Sequence, residues 1–149
     1  MLQKRMRLIR DGRSSPSLEG WAKVALIRAK SMINPSVIDL ESLFALSRNN
    51  KLKVIQGWIS NYIGAILMNL DNGYLPEAQA WIQKGIEEDQ RNGMRFCLGR
   101  DYALYAEWFK RNGDRSVARE NLGRAIEIMK ECGADGWVEK YEKELAALW

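Results

Sequence analysis

The chain has 149 residues, 46% of them hydrophobic and 28% charged, and it carries a net charge of +4 without a single histidine. A chain of this length folds as one domain with a sizeable core, since it buries roughly 70% of the surface that it exposes when unfolded. Without histidine it lacks Ser-His-Asp triads, Cys-His pairs and histidine-bearing metal motifs, so we expect no enzyme, metal or cofactor. No apolar stretch reaches the ~20 residues of a bilayer span, and two cysteines are too few for a disulfide framework. We therefore expect a cytoplasmic protein without a membrane segment.

Basic residues concentrate towards the N-terminus. Residues 1–53 contain 11 Lys and Arg against 4 Asp and Glu, whereas residues 54–149 contain 12 against 15. We interpret residues 1–15 as a basic, flexible tail, because disorder concentrates at chain termini; a docking arm is the alternative. The single domain then covers residues 16–149. The cations of the tail are Lys4, Arg5, Arg7, Arg10 and Arg13.

Helix start and stop signals divide the domain into seven predicted helices. Pro16, Pro35 and Pro76 mark three starts, because proline is tolerated in the first turn, where its missing N–H has no partner to lose. Asn and Gly residues mark the stops, since they adopt the left-handed conformation that ends a helix. No alternating run of Val, Ile or Thr predicts a strand. The predicted helices cover 17–32, 35–48, 51–71, 75–91, 94–111, 115–131 and 135–148.

An internal repeat with an offset of 40 residues organises these helices. Asn72-Gly73 recurs as Asn112-Gly113, and each pair is followed by small and large apolar residues at the same spacing. Periods of about 20–50 residues are typical of stacked helical units that share a continuous core. The pattern predicts an all-α solenoid of antiparallel helix pairs, about three units with a C-terminal capping helix. The repeated positions are Ala78, Ile82 and Gly85 in the first copy and Ala118, Leu122 and Ala125 in the second.

The second copy resembles the tetratricopeptide repeat. In its first helix Tyr102, Tyr105, Ala106 and Phe109 follow the large-large-small-large pattern of that family, and its second helix follows the small-large-small pattern. The unit before it departs from the family at two positions of its first helix, Ile66 and Asn69. The period of 40 exceeds the common period of about 34. It is similar to the variant at the C-terminal ends of large bacterial signalling proteins, namely ATP-dependent transcription activators and nucleotide cyclases.

This resemblance implies a right-handed superhelix whose first helices line a concave groove that binds extended peptides. It implies a non-catalytic scaffold for protein–protein interaction, in bacterial signalling or regulation. By position the groove changes from apolar to cationic along its length, which suits a partner segment with a hydrophobic anchor and an acidic stretch. The implied groove residues are Ser60, Ile63, Leu67, Leu70, Arg100, Ala103, Glu107, Lys110 and Arg111.

Several alternatives stay open. The charged groove positions are equally well interpreted as ordinary solvent-facing residues, with the apolar half covered by the N-terminal helices. A ligand-sensing arm of a transcription activator, with a small molecule between repeats, is the second function considered. Nucleic acid is the least favoured partner, because the basic N-terminal third lacks interleaved aromatic residues. A homodimer through the irregular N-terminal helices is a further hypothesis, with Trp21, Leu26, Leu43 and Phe44 available for contact.

Tryptophans are the most conspicuous residues left. Those on predicted helices are interpreted as core residues, because large aromatic side chains supply much of the burial in a small stacked core. Trp149 lies beyond the last apolar stripe and is the best candidate for anchoring a partner. The four predicted core tryptophans are Trp58, Trp81, Trp108 and Trp137.

Two cysteines and one acidic run complete the candidates. We interpret Cys97 and Cys132 as small buried or half-buried fillers. The run Glu87-Glu88-Asp89 lacks the alternating oxygen ligands of a calcium loop. We therefore interpret it as a solvated helix face.

Overall fold

The computed structural model describes residues 16–35 and 38–149, and over these residues the chain is all-helical. Consecutive helices pack as pairs, so the predicted all-α helical-repeat fold is confirmed. The predicted tail 1–15 lies outside the described residues. Within them the elements are α1 (Pro16–Ile33), α2 (Leu40–Arg48), α3 (Lys53–Leu70), a 3₁₀ turn (Asn72–Tyr74), α4 (Leu75–Arg91), α5 (Arg95–Arg111), α6 (Arg115–Glu131) and α7 (Asp135–Ala146).

The second helix is shorter than the sequence indicates. It begins at Leu40 rather than at Pro35, because the Asp39 side chain accepts hydrogen bonds from the backbone N–H groups of Glu41 and Ser42, at 3.2 and 3.5 Å, and caps the helix there. Residues 36 and 37 of the predicted helix lie outside the described part. With 9 residues against the 18 of α1, α2 cannot pair with α1 along its whole length.

Small residues let α3 and α4 pack closely as an antiparallel pair. A Cβ added to Gly64 would lie 2.8 Å from Ile82 Cγ1, and a Cβ added to Gly85 would lie 3.2 Å from the carbonyl oxygen of Gly57. Neither position has room for a larger side chain. The spacing of Ala78, Ile82 and Gly85 along α4 therefore sets the face that meets α3.

The two Asn-Gly sequences form different turns. Gly113 has a φ of +91°, which is the left-handed region that favours glycine. Gly73 has no positive φ and lies in the 3₁₀ turn, where its N–H donates to Asp71 Oδ1 at 2.7 Å. The sequence predicts tight turns at both places, and the two turns differ in backbone conformation.

The N-terminal helices cover α3. Trp21 of α1 lies beside Trp58 with ring centroids 5.1 Å apart, and Asn69 Nδ2 donates to Ser31 Oγ at 3.2 Å further along both helices. Both helices make these two contacts in the same order from N-terminus to C-terminus, so α1 lies parallel to α3. One core cluster joins Val24 of α1, Leu43 of α2 and the apolar residues of α3 and α4.

The last helix closes the other end of the stack. Tyr141 of α7 and Leu148 just beyond it join a second core cluster with Ala118, Leu122 and Ala125 of α6. This agrees with the predicted capping role of the C-terminal helix. None of the described helices combines the length and the apolar character needed to cross a membrane.

Candidate functional site

An open cavity of about 450 Å³ is lined mainly by residues of α5 and α7. α5 forms its floor, α7 forms one wall, Arg28 of α1 reaches in from the other side, and Asn61 of α3 lies at its base. Of the predicted groove positions, the cavity includes the four on α5 that share one helical face: Arg100, Ala103, Glu107 and Lys110.

Arg111 lies outside this cavity. Its Nη1 donates to the carbonyl oxygen of Met68 at 2.7 Å, and its Nε lies 3.0 Å from Glu107 Oε1. The first contact satisfies a terminal carbonyl of α3 from the neighbouring repeat. Arg111 therefore connects two units. It does not line the cavity, contrary to its predicted place in the groove.

The predicted apolar half of the groove is part of the core. Ser60, Ile63 and Leu67 are 0% exposed, and Leu70 is half-buried against the same cluster. α1 and α2 cover this face of α3, since Val24 and Leu43 belong to that cluster as well. The prediction that these α3 residues line an open groove is wrong, and the alternative that the N-terminal helices cover them is confirmed.

Arg100 lies among three aromatic rings. Its guanidinium carbon is 6.0 Å from the centroid of Trp58, 5.8 Å from that of Tyr62 and 5.5 Å from that of Trp137. A cation over an aromatic face is stabilised by the ring quadrupole, most strongly by tryptophan. Because the rings belong to α3 and α7, Arg100 is held in place by the helices on both sides of α5.

Two further cations reach the same cavity over aromatic rings. The guanidinium carbon of Arg28 lies 5.0 Å from the Tyr62 centroid, and Lys140 Nζ lies 5.0 Å from the Trp137 centroid. Tyr141 is buried at the cavity wall, and burial raises the pKa of its hydroxyl to about 12, so this group stays neutral. The site therefore combines fixed cations with an aromatic lining, and sequence reasoning missed Arg28 and Lys140 because they come from α1 and α7.

A buried carboxyl pair lies at the joint between the two units, beneath the cavity. Asp89 of α4 and Asp101 of α5 are each 1% exposed, and Asn61 Nδ2 donates to Asp101 Oδ1 at 2.7 Å. Burial raises the pKa of Asp101 to about 9, and burial also raises the pKa of Asp89. Two adjacent carboxyl groups in a dry site share a proton instead of both ionising.

The interpretation of Glu87-Glu88-Asp89 as a solvated helix face is wrong for Asp89. Glu87 is exposed and Glu88 is half-buried, whereas Asp89 points into the protein. A Cβ at Gly57 would lie 2.2 Å from Asp89 Oδ1, so glycine at this position leaves space for the carboxyl group. Among the described residues no group of three or more His, Cys, Asp or Glu side chains is arranged to hold a metal ion.

The predicted core tryptophans are all engaged within the chain. Trp108 is buried and its Nε1 donates to the carbonyl oxygen of Leu75 at 2.7 Å, while Trp58, Trp81 and Trp137 are half-buried against other rings. Trp149 is 85% exposed, with the Arg119 guanidinium 4.6 Å from its centroid.

The two cysteines differ. Cys97 is buried, and burial raises the pKa of its thiol to about 11. It is thus an unreactive filler, as predicted. Cys132 is exposed at the end of α6, so the prediction of a buried or half-buried filler is wrong there.

The four proposed dimer contacts are unequally available. Leu43 is 0% exposed, Trp21 is half-buried against Trp58, and Phe44 stacks on Trp81 with centroids 5.6 Å apart. Leu26 is 56% exposed. Leu43 is therefore removed from the set of candidate contacts, because it has no surface to offer a second copy.

The fold and the cavity together define a helical-repeat protein with a cationic cavity that is partly lined by aromatic side chains. Comparison with models of known protein families, with curated proteins and with solved structures finds no match.

Proposed function

We propose that the protein is a non-catalytic interaction scaffold that binds an acidic segment of a partner protein in the cavity between α1, α5 and α7. The observation that carries this proposal is the set of cations around one concave site: Arg28, Arg100, Lys110 and Lys140 line it against two acidic residues, Glu107 and Glu144. Such an excess of positive charge attracts an acidic segment, raises its association rate and sets its register.

The lining also offers apolar contact. Leu104, Trp137 and Leu148 border the cavity beside the cations. Aromatic and arginine side chains dominate the binding energy of protein interfaces. A partner segment with acidic residues next to an apolar side chain fits this surface better than a uniformly acidic one.

The resemblance to long-period tetratricopeptide repeats of bacterial signalling proteins supports the same function. In that family the first helices of the pairs line the face that binds peptides, and here the first helices α1, α3, α5 and α7 supply most of the cavity lining. We propose membership of that class, and a cytoplasmic role in signalling, on the residues of the second copy together with the observed helix pairs.

A peptide selection tests the proposal directly. A random peptide library selected against the purified protein is expected to yield acidic peptides with an apolar residue, and the Arg28→Glu/Arg100→Glu variant is expected to lose them. The matched control is Arg91→Glu/Arg115→Glu, which reverses two exposed cations outside the cavity. Peptides that bind both variants equally, or no enrichment of acidic peptides, would show that the cavity is not a peptide site.

A small-molecule sensor is the second candidate, favoured by the size of the cavity. A volume of about 450 Å³ falls within the ~300–1,000 Å³ typical of ligand pockets. An anionic aromatic metabolite would then raise the melting temperature of the wild type, because a ligand that binds only the folded state stabilises it. The same metabolite should have no effect on the Arg28→Glu/Arg100→Glu variant. If no metabolite of an anionic panel shifts the melting temperature, this candidate is rejected.

A further inference from the structure

The two arginines of the cavity differ from its lysines in their partners. Lys110 Nζ lies 3.6 Å from Glu107 Oε2, and Lys140 Nζ lies 4.0 Å from Glu144 Oε1. In residues 16–35 and 38–149 no carboxylate makes an ion pair with Arg28 or Arg100. Their charge is therefore available to a ligand without breaking an existing pair.

Asp101 makes no ion pair with Arg100. Asp101 follows Arg100 in the chain, but its carboxyl group is buried, accepts a hydrogen bond from Asn61 and lies against Asp89. Since Asp101 and Asp89 share a proton, the pair carries no more than one negative charge, and neither carboxyl group makes an ion pair with Arg100. Arg28 and Arg100 thus line the cavity without an ion-pair partner among the described residues.

Aromatic rings fix both guanidinium groups in advance. Tyr62 contacts both, with its centroid 5.0 Å from the Arg28 carbon and 5.8 Å from the Arg100 carbon, and the Nε–H of Arg28 is buried without a hydrogen-bond acceptor among the described residues. Arginines that are held in place before binding lose little side-chain entropy when the ligand arrives.

We propose that Arg28 and Arg100 bind a phosphoryl group carried by a side chain of the partner segment, an inference that rests on the proposed function. A carboxylate has two oxygens and one charge, which a single guanidinium satisfies in a bidentate pair. A phosphoryl group has three acceptor oxygens and a charge of about −1.5 to −2, which matches two guanidinium groups in one cavity. No covalent bond is made or broken in this recognition.

Three peptide libraries that differ only at one fixed central residue test the inference. With phosphoserine at that position, wild-type affinity is expected to be at least about tenfold higher than with glutamate, and serine should bind least. Arg28→Lys and Arg100→Lys should each weaken phosphoserine binding by about tenfold, since lysine retains the charge but loses the fork of donors. Arg115→Lys is the control and should change nothing.

The outcomes separate the two proposals. Equal binding of the glutamate and phosphoserine libraries would overturn the phosphoryl inference and leave the interaction scaffold standing. Binding by none of the libraries would overturn both. Inorganic phosphate that competes as strongly as the phosphoserine peptides would identify a small-anion site and overturn the inference. The comparison of libraries uses the wild type, so it stays decisive even if a lysine variant fails to fold.

Discussion

Two successive repeats carry their matching residues into opposite environments. Ser60, Ile63 and Leu67 of α3 are core residues, whereas Arg100, Ala103 and Glu107, 40 positions later on α5, line the cavity. Both sets lie on the same face of the first helix of a pair. What differs is the neighbour: α1 and α2 cover α3, while α5 faces solvent between α1 and α7. Position within a repeat sets where a side chain points, and the adjacent helix decides whether a ligand can reach it.

The largest expected effect comes from truncating matched positions of the two repeats. Leu67→Ala removes a fully buried side chain and should lower the free energy of unfolding by about 2–5 kcal/mol. Glu107→Ala removes exposed ion pairs with Lys110 and Arg111 and should change it by less than about 1 kcal/mol. Urea denaturation of both variants gives the two values. Equal losses would mean that α1 and α2 do not cover α3 as described.

The second prediction concerns Asp101, which accepts a hydrogen bond from Asn61, its matching residue 40 positions earlier. Burial raises the pKa of Asp101 from its ordinary 3.8 to about 9, so the folded state retains a proton that the unfolded state releases. The free energy of unfolding should therefore be greatest below pH 3.8, fall as the pH rises from 3.8 to about 9, and level off above that.

Asp101→Asn should remove most of this pH dependence, because an amide is neutral at every pH in that range. Denaturant titrations at several pH values between pH 5 and pH 9 measure it. Asp135→Asn alters an exposed acid of α7 and serves as the control, which should follow the wild type. An Asp101→Asn protein with the same slope as the wild type would show that the buried pair is not protonated.

A smaller effect is expected from glycines with different neighbours. Gly57→Ala forces a Cβ against the Asp89 carboxyl group and should cost about 1–3 kcal/mol. Gly123→Ala, on α6, meets no atom within 4 Å and should stabilise the protein by up to about 1 kcal/mol through helix propensity. Thermal melting ranks the two. Stabilisation by both substitutions would contradict the close approach of α3 and α4.

The smallest effect separates the two Asn-Gly turns. Gly113→Ala places a Cβ in the left-handed region and should cost about 1 kcal/mol or slightly more. Gly73→Ala should cost less, since Gly73 has no positive φ and the only neighbour that its Cβ would crowd is the exposed Asp71 side chain. Melting temperatures of the two variants check the order. The reverse order would indicate that the first turn resembles the second after all.

Local signals in the sequence were sufficient to predict the helices, because proline, Asn and Gly residues mark their ends. The positions Arg100, Ala103, Glu107 and Lys110, which line the cavity, were implied by the resemblance to the tetratricopeptide repeat. The start of α2 was missed because the Asp39 cap competes with the Pro35 signal. The role of Arg111 was missed because its partner, the Met68 carbonyl, lies on another repeat.

By itself the sequence determined the helices and their pairing by small residues at Ala78 and Gly85. These properties depend on neighbours close in the chain or on a repeated spacing. Tertiary structure alone decided that α1 and α2 cover Ile63, that Asp89 shares a dry site with Asp101, and that Arg28 joins Arg100 in one cavity. Burial and charge pairing depend on residues far apart in the chain, so no local pattern records them.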